Sequence, residues 1–155
     1  MTDNLSRKTA VELASLIATR AVSPVEVLDA HLATIARVNP KLNAIVTLVA
    51  EAAREQAKDA EAAVLRGDTL GVLHGLPVVI KDITPTAGIR TTYGSPLFKD
   101  NVPTEDAEVV RRLKAAGAIV LGKTNTPEFA AGALGYGLNL LFLTVERRFV
   151  HWSGK

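Results

Sequence analysis

Hydrophobic positions near the start of the chain recur every three or four residues, which is the spacing of amphipathic helices. Two segments there share a start signature, because Thr9 and Ser23 are each followed three residues later by a glutamate, as in a capping box. Pro24 takes the first helical position, where its missing N–H costs nothing. The pattern predicts two helices packed through their apolar faces. The second should end at Asn39-Pro40, because a residue before proline avoids helical backbone.

Further along the chain, short and continuous apolar runs are typical of strands buried on both faces. Three strands are predicted, at residues 43–49, 77–81 and 118–121. The alanine-rich and charged segment 51–66 predicts a long helix, and a second helix is predicted from a cap at Thr104 to a stop at Gly117. Strand, crossover helix and strand make a parallel unit. We therefore predict an α/β fold.

The composition excludes several kinds of function and leaves the predicted fold unchanged. The chain has 155 residues, 48% of them hydrophobic, enough for one globular domain with a core. Its formal net charge of +2 is too small to attract a nucleic acid, and the lack of cysteine excludes thiolate metal sites and cysteine nucleophiles. No run approaches the roughly 18 apolar residues of a membrane span. We expect a cytoplasmic protein that contacts neither membrane nor nucleic acid.

One stretch, Gly117–Thr124, has the letters of a phosphate-binding loop. That loop needs free N–H groups between its glycines, whereas residues 118–121 are predicted to be a strand whose N–H groups bond within a sheet. We therefore predict no nucleotide cofactor. The histidines, His31, His74 and His151, show no metal-ligand spacing. No metal is expected, and the first two are interpreted as packed structural residues.

Lys81 is the strongest candidate for chemistry. It ends an apolar predicted strand, and functional groups collect at the carboxyl ends of parallel strands. The alternative is a solvated strand terminus. To act as a base near neutral pH, a lysine must release its proton, which burial favours and a nearby carboxylate opposes. Asp82 would oppose it if its carboxylate pointed at the Lys81 ammonium.

Separated blocks of sequence carry a resemblance to a known family. In chain order they are Gly75–Asp82, Thr91–Ser95, Arg112–Asn125 and Glu128-Phe129. Their order and spacing resemble the amidase-signature family, and the similarity runs from about Leu5 to about Gly132. The resemblance implies the N-terminal portion of the amidase-signature fold, with a mixed sheet flanked by helices that this chain leaves incomplete.

The resemblance also implies an activity. Members of this family hydrolyse amides with a Ser–cis-Ser–Lys triad, in which one serine attacks the carbonyl, the second relays its proton and a neutral lysine receives it. Lys81 matches that lysine, the substrate would be a small-molecule amide, and no cofactor is implied. The family includes free amidases and the amide-hydrolysing subunit of aminoacyl-tRNA amidotransferases.

The end of the chain departs from the family, which continues into a Gly/Ser-rich segment that supplies both serines. Four of the seven aromatic residues lie in this last stretch. We predict residues 1–133 to be the N-terminal part of an amidase-signature domain and 134–155 to be a divergent, out-of-frame tail. The serines present are Ser6, Ser15, Ser23, Ser95 and Ser153. None lies in a nucleophile motif.

Two interpretations follow for the 155 residues. One is an amide hydrolase by descent, inactive alone because only Lys81 of its triad is present; the other is a non-catalytic truncated fragment or a small binding protein. An incomplete sheet exposes strand edges, so we expect self-association, or docking of residues 140–145 as a substitute strand. If activity is found, Ser95 is the first nucleophile to test.

Overall fold

The structure is a computed structural model that describes residues 2–126, with side chains from Leu5 onward. Its helices are α1 (Ala10–Ala18), α2 (Pro24–Leu42), α3 (Ala50–Arg66) and α4 (Glu108–Ala115), its strands are β1 (Ile45–Leu48), β2 (Pro77–Lys81) and β3 (Ile119–Thr124), and two 3-10 turns span Thr2–Arg7 and Pro96–Phe98. In this part of the chain, no helix has both the length and the apolar character needed to cross a bilayer.

Both predicted capping boxes are confirmed. At the start of α1, Thr9 Oγ1 accepts from the Glu12 N–H at 3.2 Å, while the Glu12 carboxylate accepts from the Thr9 N–H at 2.8 Å. At the start of α2, Ser23 and Glu26 make the same reciprocal pair at 3.1 and 2.9 Å. Each box satisfies backbone N–H groups that the first helical turn would leave unpaired.

The predicted end of α2 at Asn39-Pro40 is wrong. The helix runs through Pro40 to Leu42, and Asn43 closes it in the left-handed region with φ 47°. The Asn39 side chain accepts from the Ile45 N–H at 2.8 Å and donates to the Ile45 carbonyl at 2.9 Å. These bonds tie the last turn of α2 to β1, and they outweigh a pre-proline restriction that is only a preference.

The predicted cap at Thr104 is also wrong, because α4 begins at Glu108 after Ala107. The preceding residues bond to a loop instead: the Ala107 N–H donates to the Pro85 carbonyl at 3.0 Å, and the Asp106 carboxylate accepts from the Ala87 N–H at 2.8 Å. Because Asp106 and Ala107 make these long-range bonds, they lie outside the helix. The end of α4 at Gly117 agrees with the prediction, since that glycine has φ 90°.

The three strands form one sheet in the order β1-β3-β2. β2 and β3 are parallel, which confirms the predicted strand–helix–strand unit, and β1 joins β3 antiparallel. The mixed α/β architecture is therefore confirmed. Within residues 2–126, β3 is the central strand, and β1 and β2 are the edges.

Helices cover one face of the sheet, and α4 with the loop before it covers the other. The first layer buries α2 and α3 against β3, through Leu28, Leu32, Ala53, Ala57, Ala60, Ile119 and Leu121. On the opposite face, Ile80 and Val120 pack against Val110 of α4. β3 is thus buried on both faces, as its continuous apolar run predicted.

β3 contains a bulge at Leu121. Val78 of β2 pairs with Val120, but the next residue, Val79, pairs with Gly122, so Leu121 is the extra residue. Gly122 lies tightly against β1, because a Cβ there would stand 2.2 Å from the Thr47 carbonyl oxygen. The stretch that spells a phosphate-binding loop is therefore a bulged, buried strand.

We predict that Gly122→Ala lowers the free energy of unfolding by about 3 kcal/mol, because the added methyl must push β1 away from β3. Gly88→Ala is the control. Gly88 has φ 72° and open space around its Cβ position, so the change should cost only backbone strain, about 1 kcal/mol. Urea denaturation measures both variants. Equal losses would contradict the close approach of β1 and β3.

Candidate active site

Lys81 is the last residue of β2 and pairs in register with Thr124 of β3. Its side chain is exposed, whereas Ile80 just before it is buried against α4 and the loop. Because side chains alternate along a strand, Lys81 and Val79 share the other face, where Val79 is 41% exposed. In the described part of the chain, Lys81 therefore lies on an uncovered face of an edge strand.

Asp82 turns away from Lys81. It is 1% exposed, and its carboxylate accepts from the Thr92 N–H at 3.1 Å and from the Thr92 hydroxyl. Its own N–H donates to the Thr124 carbonyl at 3.1 Å, and its carbonyl accepts from the Tyr93 N–H at 2.9 Å. Asp82 thus fastens the loop that follows β2, and its carboxylate is directed to Thr92.

A second lysine, Lys123, lies on the opposite face and was missed by the sequence analysis. It is 0% exposed. Its Nζ donates to the Thr84 carbonyl and, at 2.9 Å each, to the hydroxyls of Thr86 and Thr91. The bulge at Leu121 shifts the alternation of β3 by one residue and so directs Lys123 to the loop side of the sheet.

The hydrogen bonds around Lys123 identify its charged form. The Thr86 hydroxyl donates to the Thr84 carbonyl and the Thr91 hydroxyl to the Ile89 carbonyl, both at 3.1 Å. Each hydroxyl proton is therefore committed elsewhere, so both oxygens accept from Nζ. Three donated bonds require the three N–H groups of an ammonium.

Burial nevertheless disfavours that charge. It lowers the pKa of Lys123 from 10.5 to about 8, against the carboxylates of Asp82 and Asp106, which act to raise it. Lys123 is thus mostly protonated at pH 7. The sequence carried no local signal for this role, because the three acceptors lie 32 to 39 residues before Lys123.

A cavity of about 330 Å³ opens near the carboxyl ends of β2 and β3. Asp82, Thr92, Ser95 and Thr126 are among the residues that line it, and Lys81 is not. Ser95 is 3% exposed, and its N–H donates to the Thr92 carbonyl at 2.9 Å. The structure therefore does not bring Ser95 and Lys81 together around this cavity.

The other described serines have structural surroundings. Ser6 Oγ accepts from the Thr34 hydroxyl at 3.0 Å, Ser23 caps α2, and Ser15 is exposed on α1. Ser153 lies outside the described residues, as do the predicted tail 134–155 and its segment 140–145.

The two described histidines lie against backbone carbonyls, as expected of packed residues. A ring nitrogen of His31 is 2.7 Å from the Val27 carbonyl, and one of His74 is 2.9 Å from the Ala60 carbonyl. Across the side chains from Leu5 to Thr126, no three His, Asp or Glu residues are grouped so that they could hold a metal ion.

Comparisons with known proteins show the family to which the chain belongs. A profile of the family described as Amidase matches residues 26–142, which include β2, β3, Lys81 and Lys123. The chain belongs to the amidase family. Its similarity to amidase-signature enzymes, inferred from the sequence blocks, is thereby confirmed.

Two relatives illustrate the range of this family. The chain is 44% identical over 130 residues to one subunit of the glutamyl-tRNA(Gln) amidotransferase of Acidothermus cellulolyticus, an alignment that covers 84% of the chain and 26% of that protein. It is 45% identical over 121 residues to an indoleacetamide hydrolase of Bradyrhizobium diazoefficiens, covering 78% and 23%. The chain spans about a quarter of the length of these amidase relatives.

Solved amidase structures resemble the fold as well. A bacterial aryl acylamidase of the amidase-signature family superposes with a TM-score of 0.75 at 28% identity, over 79% of this chain and 26% of that one. The peptide amidase of Stenotrophomonas maltophilia gives 0.73 at 32% identity, over the same shares. This amidase chain therefore has part of the amidase-signature fold.

The lowered pKa of Lys123 predicts a pH-dependent stability. Between about pH 8 and 10.5 the unfolded chain still holds the Lys123 proton that the folded chain has released. Stability therefore rises with pH across this window, by up to about 3 kcal/mol. Urea denaturation should show this rise for the native chain and not for Lys123→Met. Parallel profiles for the two proteins would contradict the prediction.

Proposed function

We propose that this chain carries the lysine-bearing part of an amide hydrolase. In this proposal, Lys81 receives the proton of a nucleophilic serine through a second serine, and the acyl group of a small-molecule amide passes to water. The supporting observation is the place of Lys81 at the carboxyl end of a parallel strand, inside the segment that matches the family. Because the chain spans about a quarter of its relatives, the activity of a whole enzyme belongs to the proposal.

We further propose that the 155 residues alone hydrolyse no amide. Among the described serines, Ser6 and Ser23 are engaged by Thr34 and Glu26, Ser15 is exposed on a helix, and Ser95 lines a cavity that Lys81 does not. Ser6, Ser15 and Ser23 are therefore placed as structural residues, and the cavity beside Ser95 does not reach Lys81. Within the described residues, the uncovered face beside Val79 would let serines from another part of an enzyme approach Lys81.

A chimera tests the role of Lys81 in a complete enzyme. Residues 5–126 of this chain replace the corresponding segment of the Bradyrhizobium indoleacetamide hydrolase, and ammonia release from indoleacetamide is measured. We expect the chimera to be active and Lys81→Ala in it to lose at least about 1,000-fold in kcat, as removal of a triad member does. The control is Lys58→Ala, which removes an exposed lysine of α3 and should leave kcat unchanged.

The unmodified 155-residue chain is assayed in parallel on aliphatic and aryl carboxamides. No release above background is expected. Retention of kcat within about twofold in the Lys81→Ala chimera would refute the role of Lys81. Hydrolysis by the chain alone would refute its inactivity and direct attention to Ser95→Ala.

We also propose that the chain associates with itself through β2. Within residues 2–126, β2 is an edge strand that carries the exposed Val79, and an edge strand with exposed apolar residues favours pairing with another strand. Sedimentation velocity should show dimers or larger species that Val79→Lys suppresses. The control is Val109→Lys on α4, where Val109 is 55% exposed and lies away from the strand edge. A monodisperse monomer at all concentrations would contradict this proposal.

A further inference from the structure

We propose that Lys123 is a positioning residue for Lys81, because its buried ammonium holds the loop that leaves β2 directly after Lys81. We name residues 82–92 the β2 loop. The proposal rests on the proposed function of Lys81, since a positioning role has a purpose only if Lys81 acts in the reaction. We infer that a change in the bonding of Lys123 alters the position of Lys81, although the two side chains lie on opposite faces of the sheet.

The three acceptors of Lys123 all come from the β2 loop. Thr84, Thr86 and Thr91 lie at separate points of a segment that has no helix or strand of its own. Backbone bonds shape parts of this loop, for example the bond from the Ile89 N–H to the Thr86 carbonyl at 3.1 Å, and the bonds to Lys123 add to them. One ammonium thus binds this loop at three points.

A short chain of bonds joins Lys123 to Lys81. The Thr84 carbonyl accepts from Lys123 Nζ, while the Thr84 N–H donates to the Lys81 carbonyl at 3.0 Å. Beside this path, the Asp82 N–H donates to the carbonyl of Thr124, the residue after Lys123. A change in the bonding of Lys123 is therefore transmitted through Thr84 to the backbone that carries Lys81.

The three hydrogen bonds to the β2 loop require the protonated form of Lys123. A neutral amine has two N–H groups and cannot donate to all three acceptors. Among the described residues, the charged groups that act on it are Asp82, after β2, and Asp106, before α4; the latter also binds Lys114 of α4 at 2.7 Å. Both carboxylates favour the charged lysine, while its burial opposes them. Lys123 should therefore bind the β2 loop less strongly as pH rises through about 8.

Nuclear magnetic resonance on the intact chain tests the coupling. With ¹³C-labelled lysine and threonine, the εCH2 signal of Lys123 and the methyl signals of Thr86 and Thr91 are followed from pH 6 to 10. We expect all three to step with one midpoint near pH 8, and the εCH2 signal of Lys81 to show a secondary step at the same pH. A merely structural Lys123 would leave the Lys81 signal without that step.

The variants decide the outcome. Lys123→Met should abolish the shared step in the Lys81 and threonine signals, and Lys58→Met, the matched control on α3, should preserve it. If Lys123→Met does not fold, Thr86→Val removes one acceptor and should move the Lys123 midpoint to lower pH and shift the Lys81 signal. A Lys81 signal unchanged at the Lys123 midpoint, or a step that persists in Lys123→Met, would overturn the proposal. No hydrolysis is measured, so this result is independent of the chimera assay.

Discussion

The parallel pairing of β2 with β3 is the constraint on which the other features of this molecule depend. It places the carboxyl ends of both strands, and hence Lys81 and Lys123, at one end of the sheet. The bulge at Leu121 then sets which face each lysine takes. Without it, the alternation of β3 would direct Lys123 to the helical face, among apolar residues of α2 and α3. With the bulge, the Lys123 side chain instead points to three oxygen atoms supplied by the β2 loop.

The two lysines have different surroundings although they lie at the same end of the β2–β3 pair. Residues of this chain compensate for the burial of Lys123, because three acceptors bind its ammonium and two nearby carboxylates favour its charge. Lys81, by contrast, is exposed next to the exposed Val79 in the part of the chain that the structure describes. This contrast is consistent with a chain that spans about a quarter of its amidase relatives. The groups that would surround Lys81 belong, in our proposal, to the remainder of the family fold.

Local signals predicted much of this fold. The capping boxes at Thr9 and Ser23 and the apolar runs of β2 and β3 encode structure within a few residues, and each was found. β3 begins one residue later and ends three residues later than the predicted 118–121. The errors at Pro40 and Thr104 have a common cause. At both places, bonds to residues outside the helix, Ile45 for α2 and the loop residues Pro85 and Ala87 for α4, decided where the helix ends or begins, and the helical pattern contains no information on such bonds.

Lys81 could be found from the sequence because its strand end and family blocks are local. Lys123 could not, because its burial depends on acceptors 32 to 39 residues earlier in the chain and on a bulge that no periodicity indicates. The division at residue 133 stays a prediction, since the structure describes residues 2–126. The match to the family profile itself extends to residue 142.

The central claim is that Lys81 is exposed to solvent while Lys123, which pairs with the residue before Lys81, is buried. Pulse labelling of the native chain with an amine-reactive reagent, read lysine by lysine by mass spectrometry, measures this directly. The account predicts rapid modification of Lys81, modification of Lys123 slower by about 100-fold or more, and equal rates in urea. Equal rates in the native chain, or protection of Lys81, would contradict it.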